Sequence, residues 1–281
     1  VLFRSVNHGK LLKQMWTLGI RDRKLIKIVS LLLKSEIKGE GIPTKGTPQG
    51  GILSPLLSNI VLNELDWWIS NQWETFKSKR IYFDKNTQDK ALKKTKLKEF
   101  YIDRYADDFK ILCRTRSQAN KMYHATKQFL KERLLLDINE EKSKVINLKR
   151  KYSEFLGFKI KAKEKGKARN GFVAQSGMTK KSLKSAKNKI VESVKKIQRK
   201  PCARTVNNFN ATVIGIQNYY CRATFITQDL KRIDYQVKKI LYNRLKGNRS
   251  KATFEDMSNS MKKRYKGYDP QLYKIQKILS N

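Results

Sequence analysis

Apolar residues recur at three- and four-residue intervals through "KLLKQMWTLGIRDRKLIKIVSLLLKS" (residues 10–35), with a break near Gly19, and this spacing predicts two short helices. The run "GEGIPTKGTPQGGILSPLL" (39–57) is rich in Gly and Pro and predicts loop and turn. "SPLLSNIVLNELDWWISNQW" then reads as a buried helix, opened by Ser54-Pro55 because proline suits a first helical turn. Residues 77–99 are polar and Lys-rich, which predicts a solvated insertion or hairpin. "FYIDRYADDFKILCR" predicts a strand, a tight acidic turn and a second strand. "SQANKMYHATKQFLKERLLLDIN" follows as an amphipathic helix. "KSKVINL" and "FLGFKIKAK" are expected strands, with Gly157 allowing close backbone approach. From about residue 180 the pattern is helical and basic, and no internal repeat interrupts it. The expected class is α+β first, then an all-helical basic unit.

Charge narrows the partners. The chain has 281 residues, enough for one large domain or two ordinary ones, and 63 Lys and Arg stand against 24 acids, a net +39. A field of that size favours a polyanion through steering and counterion release; a ribosome-like structural role or a membrane-surface binder is the plainer alternative. Cys113, Cys202 and Cys221 are scattered singly, and His8 and His124 are far apart, so neither a disulfide scaffold nor a zinc knuckle is expected. No apolar run approaches a membrane span and no signal peptide opens the chain. The expected setting is therefore a reducing interior, bacterial cytoplasm or organelle matrix, with no membrane partner.

Two adjacent aspartates, Asp107 and Asp108, sit between apolar flanks in this basic chain. A solvated acidic turn is the ordinary explanation. Against it stand Tyr105, Ala106, Phe109, Ile111 and Leu112, which place the turn at the edge of a core sheet. Neighbouring carboxylates repel unless a cation holds them, and a divalent ion on oxygen donors relieves that repulsion. Nucleotidyl transfer uses two such ions. In "KGTPQGGILSPLLSNI", amides freed by Gly46, Gly50 and Gly51 could approach a nucleotide or template closely, and Gln49 could bond a base or sugar edge. A flexible connector is the alternative there.

"TPQGGILSPLLSNIVLNELD", "YADDF", "NEEKSKVINL" and "FLGFKI", in that order, resemble successive palm blocks of reverse transcriptases, and most closely those of group II intron-encoded reverse transcriptase/maturases. The segment "VIGIQNYYCRAT" resembles the thumb, or maturase domain, of that family. The resemblance covers roughly residues 6 to 250. It implies an antiparallel palm sheet packed on helices with partial fingers (1–170), a helical thumb/maturase domain (171–250) and the start of a DNA-binding region (251–281). It implies an RNA-directed DNA polymerase that extends a DNA primer on an RNA template from deoxynucleotide triphosphates, and that assists splicing and mobility of its group II intron RNA at a target DNA.

By the same resemblance, Asp107 and Asp108 hold two Mg²⁺ ions, with Mn²⁺ a substitute. Tyr105 and Ala106 set the turn beside the primer end. Pro48, Gln49 and Gly50 contact template and nucleotide. Lys142 stands near the pyrophosphate as a general acid, and Phe155, Leu156 and Gly157 form the primer grip. Lys180, Lys181, Lys184 and Lys187 read as a solvated charged face or, with interleaved Phe209, Tyr219 and Tyr220, as an RNA-binding surface.

Two departures temper these expectations. The family's third metal-binding carboxylate would fall just before Val1, and "VLFRS" does not continue the family pattern, so the chain as written is expected to hold metal weakly and to extend a primer barely or not at all. The paired cysteines of the family's H-N-H endonuclease are not in the sequence. The chain is therefore expected to be truncated at both ends. The rivals are a retron or diversity-generating reverse transcriptase and, from another class, a non-catalytic splicing maturase that only binds RNA.

Overall fold

The computed structural model describes residues 5–36, 39, 41–47, 52–168 and 171–245. They form two compact units that divide between Val145 and Ile146. The expected region 251–281 lies outside the described residues, as do Pro48, Gln49 and Gly50.

The first unit opens with α1 (His8–Thr17) and α2 (Arg23–Leu33). Each has a capping side chain where the sequence needs one: Asn7 accepts from the Lys10 N–H, and Asp22 from those of Lys24 and Leu25. Gly19, at φ +100°, turns the chain between them. Helix α3 (Ser54–Ser70) carries its proline in the first turn and buries Leu57, Val61, Leu62, Leu65 and Ile69. These side chains meet Leu11 and Met15 of α1, Val29 and Leu33 of α2, and one face of a hairpin. The hairpin is β1 (Phe100–Tyr105) with β2 (Asp108–Cys113), antiparallel, with Tyr105 opposite Asp108.

Its alternation is the sequence pattern made physical. Phe100, Ile102, Phe109, Ile111 and Cys113 turn toward the core, while Asp103, Tyr105 and Asp108 face solvent. Helix α5 (Arg116–Gln128) follows and widens into a π-helical turn at Phe129–Arg133, where Phe129 stacks on Trp68 at 4.4 Å.

Glu64 of α3 joins three elements. It receives Lys10 at 3.1 Å, the Gln14 amide at 2.7 Å, and the Arg133 guanidinium. Burial raises its pKa, but the bonds from Lys10, Gln14 and Arg133 together outweigh that and leave the carboxyl below its ordinary value.

One expectation is narrowed here and one fails. The polar stretch 77–99 is exposed along most of its length, as a solvated insertion should be, but in place of a hairpin it contains a further helix, α4 (Lys85–Leu92), capped by Asp84. Its one buried apolar residue, Leu92, is too little to show as a period. "KSKVINL" forms no strand; Val145 and Ile146 are exposed, and its tie to a strand among the described residues is the Ala162 N–H donating to the Leu148 carbonyl.

The second unit pairs β3 (Ser153–Phe155), β4 (Phe158–Glu164) and β5 (Phe172–Met178) antiparallel in that order. "FLGFKIKAK" is thus two strands around a turn. Three helices follow: α6 (Lys180–Arg199), α7 (Ala203–Tyr220) and α8 (Ile226–Leu245). Their core is Ile190 and Val194 against Phe209 and Val213 and against Ile233 and Val237, closed by Met178. The Asp229 carboxylate, 2% exposed, accepts the Met178 N–H at 2.7 Å and so ties β5 to the start of α8.

The β3–β4 turn is Leu156-Gly157, with φ +50° and +80°, the two positive angles of a type I′ turn. A leucine there carries about 1–2 kcal/mol of backbone strain. The turn is held by Tyr219 Oη donating to the Leu156 carbonyl at 3.0 Å, and by Thr179 N–H and Ser182 Oγ donating to that of Gly157 at 3.0 and 2.9 Å. A Cβ on Gly157 would lie 2.8 Å from both Ser182 Oγ and Tyr220 Oη. Gly157→Ala therefore meets a forbidden φ and a clash together, and is expected to cost about 2–4 kcal/mol in urea unfolding. Gly166→Ala, with open space around its Cβ, is the matched control and should shift the midpoint little.

Candidate active site

The Ala106-Asp107 turn is built by the strands on either side of it. Ala106 has φ +53°, and Asp107 has no positive φ, the pattern of a II′ hairpin turn adopted here without glycine. One side chain compensates. Arg104, partly buried on the inner face of β1, donates from Nη1 to the Ala106 carbonyl at 2.9 Å and to Asn59 Oδ1 at 2.8 Å. Its Nε donates to both oxygens of Asp66 at 2.8 and 3.0 Å, and Nη2 donates to Asp66 Oδ2 at 2.5 Å. The planar guanidinium thereby fixes the turn to two positions of α3, a fork that lysine could not reproduce.

With the turn fixed, Asp107 and Asp108 are presented to solvent side by side. Among the described residues no hydrogen bond or ion pair engages their carboxylates. Tyr105, 66% exposed, stands on the same open face as Asp108. Asp103 shares that face but lies opposite Lys110. Adjacent hard oxygen donors suit a divalent cation of the Mg²⁺ type. Among the described residues, however, no three acidic, histidine or cysteine side chains come together as a metal-holding group. The residues present therefore fit as a partial ligand set.

The remaining sequence-designated residues are placed as follows. Lys142 is exposed in a turn whose Asn139 Oδ1 accepts the Lys142 N–H at 3.0 Å, and no ion pair joins it to Asp107 or Asp108. Phe155, Leu156 and Gly157 belong to the second unit, in the strained turn already described. Tyr219 and Tyr220 are packing residues at that turn, with Phe158 at 5.7 and 4.9 Å from their rings.

Lys180, Lys181 and Lys184 are exposed on α6 and Lys187 is half-buried. Lys181 and Lys184 line an open groove of about 570 Å³ along α6, together with Lys189, Lys196 and Thr212 of α7. Lys180 and Lys187 do not. The buried positions Ala186, Ile190, Val194 and Ile197 take one side of α6, so the groove lysines share the other.

Sequence reasoning missed Arg104 and its partners. Their trace was there, as Asp66 inside the apolar run "NELDWW" and an arginine two residues before the turn. It also missed His8, whose Nε2 lies 2.7 Å from the Gly46 carbonyl, while the Gly46 N–H donates to the Val6 carbonyl at 2.8 Å. These contacts pin Gly46 onto the start of α1.

Residues 2–160 match the family model for reverse transcriptase (RNA-dependent DNA polymerase). The chain is 26% identical over 331 aligned positions to the group II intron-encoded protein LtrA of Lactococcus lactis, covering 92% of this chain and 54% of that protein. It is 28% identical over 154 residues to Protein YkfC of Escherichia coli, covering 51% and 40%. It is 33% identical over 90 residues to an uncharacterized 91 kDa protein in cob intron of Schizosaccharomyces pombe, covering 31% and 11%. The chain thus spans about half or less of the length of these relatives. The matched stretch includes the Arg104 clamp and the aspartate turn.

The clamp generates a measurable coupling. Arg104→Lys and Asp66→Asn should each destabilise the protein by about 1–3 kcal/mol, and the double variant should cost clearly less than their sum. Additive losses in urea titrations would show that the two side chains act separately.

Proposed function

Because the chain belongs to the reverse transcriptase (RNA-dependent DNA polymerase) family, we propose that it carries the palm and thumb of a group II intron polymerase that copies RNA into DNA and assists its intron RNA. The observation that supports this most is the clamped turn, which presents Asp107 and Asp108 unpaired at the edge of a core hairpin. Likeness to the group II intron-encoded relative along 92% of the chain supports the intron assignment.

In this reading Asp107 and Asp108 hold divalent metal, Mg²⁺ or in its place Mn²⁺. Bound ions would activate the primer 3′-hydroxyl and neutralise charge on the departing pyrophosphate. The protein's own part is positional. Arg104 keeps both carboxylates at the tip, so their repulsion is not relieved by the turn opening. Exposed Tyr105, with Ala106 behind it, packs beside the primer end. Pro48, Gln49 and Gly50 meet template and nucleotide. Lys142, exposed and unpaired with the aspartates, donates a proton to pyrophosphate. The rigid Phe155–Gly157 turn grips the primer strand, and the groove lysines with Lys180 and Lys187 meet RNA phosphates. Domains follow the same lines: palm with partial fingers over 1–170, thumb over 171–250, start of a DNA-binding region beyond. Partners are intron RNA, target DNA, template–primer and deoxynucleotides. Among the described residues no helix is long and apolar enough to cross a membrane, and a cytoplasmic or organelle-matrix setting is proposed with the intron assignment.

A second reading, an RNA-binding maturase without polymerase activity, is favoured by the partial ligand set. Primer extension on poly(rA)·oligo(dT) with Mg²⁺ separates the two. Asp107→Asn should abolish whatever Mg²⁺-dependent incorporation the chain supports while template–primer affinity changes less than about twofold. Measurable incorporation by the wild type that the variant retains in full would sink the polymerase reading and leave RNA binding alone.

The groove generates its own test. Changing Lys181 and Lys184 together to Gln should weaken RNA binding across sequences and lower the slope of log K against log salt by about 1.5. An unchanged slope would return these lysines to a merely solvated face.

A further inference from the structure

Residues 76–84 lead from α3 into α4, and the base of this segment is fixed at several points. Gln88 Nε2 donates to the Phe76 carbonyl at 3.1 Å, and the Lys85 ammonium donates to the Glu74 carbonyl. Ser78 Oγ donates to the Arg80 carbonyl at 2.7 Å, and Asp84 caps α4 by accepting the Thr87 N–H at 2.6 Å. Above this anchored base, Ile81 is 96% exposed and Phe83 is 101% exposed. Arg80 lies over the Tyr82 ring, 5.6 Å from its centroid. Two large apolar side chains held wholly in water on a fixed base contribute nothing to folding, so their value is in a contact.

The surroundings select the partner. Lys77, Lys79 and Arg80 flank the two side chains, and between residues 77 and 98 nine basic residues stand against two acidic ones. One of those acids, Asp84, is engaged as the helix cap. Basic groups interleaved with an aromatic and an aliphatic side chain suit a strand whose phosphates and base faces are both accessible. A duplex conceals its base faces in the stack.

We propose that the tip 77–83 binds single-stranded nucleic acid, with unstacked bases resting on Phe83 and Ile81 and phosphates meeting Lys77, Lys79 and Arg80. This contact needs no metal and involves none of the hairpin carboxylates; it shares with the proposed function only the chemical class of partner. An anionic membrane is the weaker candidate. Interfacial binding draws on an apolar helix face, whereas α4 (KNTQDKAL) is polar outside and keeps its one large apolar residue, Leu92, buried.

A 12-nucleotide RNA carrying 5-iodouridine, cross-linked by light and mapped by mass spectrometry, tests this on the intact chain. An adduct on Phe83 is expected, and single-strand cross-linking to peptide 77–85 should fall at least about tenfold in Phe83→Ala. The adduct should weaken with rising salt and in the Lys79→Gln, Arg80→Gln double variant. The melting temperature of Phe83→Ala should match wild type, since the side chain is fully exposed. Adducts confined to other peptides, or an equal yield at this peptide from duplex RNA, would overturn the proposal. So would Phe83-dependent sedimentation with phosphatidylcholine–phosphatidylserine vesicles without any RNA adduct here.

Discussion

Arg104 is the joint on which the first unit's chemistry rests. Its guanidinium meets an aspartate and an asparagine on α3 and the carbonyl of a residue in left-handed conformation, all within hydrogen-bonding distance. Without it, only the two-residue connection between β1 and β2 would hold Ala106 at positive φ. Helix α3 can serve as the anvil because its opposite contacts are firm. Five of its apolar side chains are buried, and Glu64 binds α1 and the π-helical turn through three partners. Rigid core, oriented charge pair and open face form one causal sequence.

The second unit handles strain differently. There a leucine and a glycine share a type I′ turn, and the holding groups come from helices: two donors near the start of α6 and a tyrosine from the end of α7. Aromatic contacts among Phe158, Tyr219 and Tyr220 add area around the same spot. The basic surface of α6 is then a by-product of helical geometry. With one side taken by Ile190 and Val194, Lys181, Lys184, Lys189 and Lys196 share the other.

Much of this was legible in the sequence, for reasons particular residues make plain. Strict alternation in "FYIDRYADDFKILC" gives both strands and the turn, because a half-buried hairpin has only one way to hide its apolar set. Helices α1, α2 and α3 follow from period and from Gly19 and Pro55. The α4 helix was hidden because it buries little. The strand expected at "KSKVINL" failed because local alternation says nothing about whether a partner edge exists. The type and place of the aspartate turn were readable; the arginine that secures it was not, since its partners lie 38 and 45 residues away. Residues 48–50 lie outside the described residues, so that part of the site rests on the sequence.

Asp229 carries an evolutionary implication. Its carboxylate reaches one amide, that of Met178, and Gly177 leaves no space for a larger neighbour, since a Cβ there would sit 2.8 Å from Asp229 Oδ2. Such a keyed fit ties the phase of a strand to the rotation of a helix. Insertion or deletion of a single codon within residues 172–178 would bring the wrong side of the strand to the key, so lineages carrying this fold should vary there by substitution and scarcely at all in length.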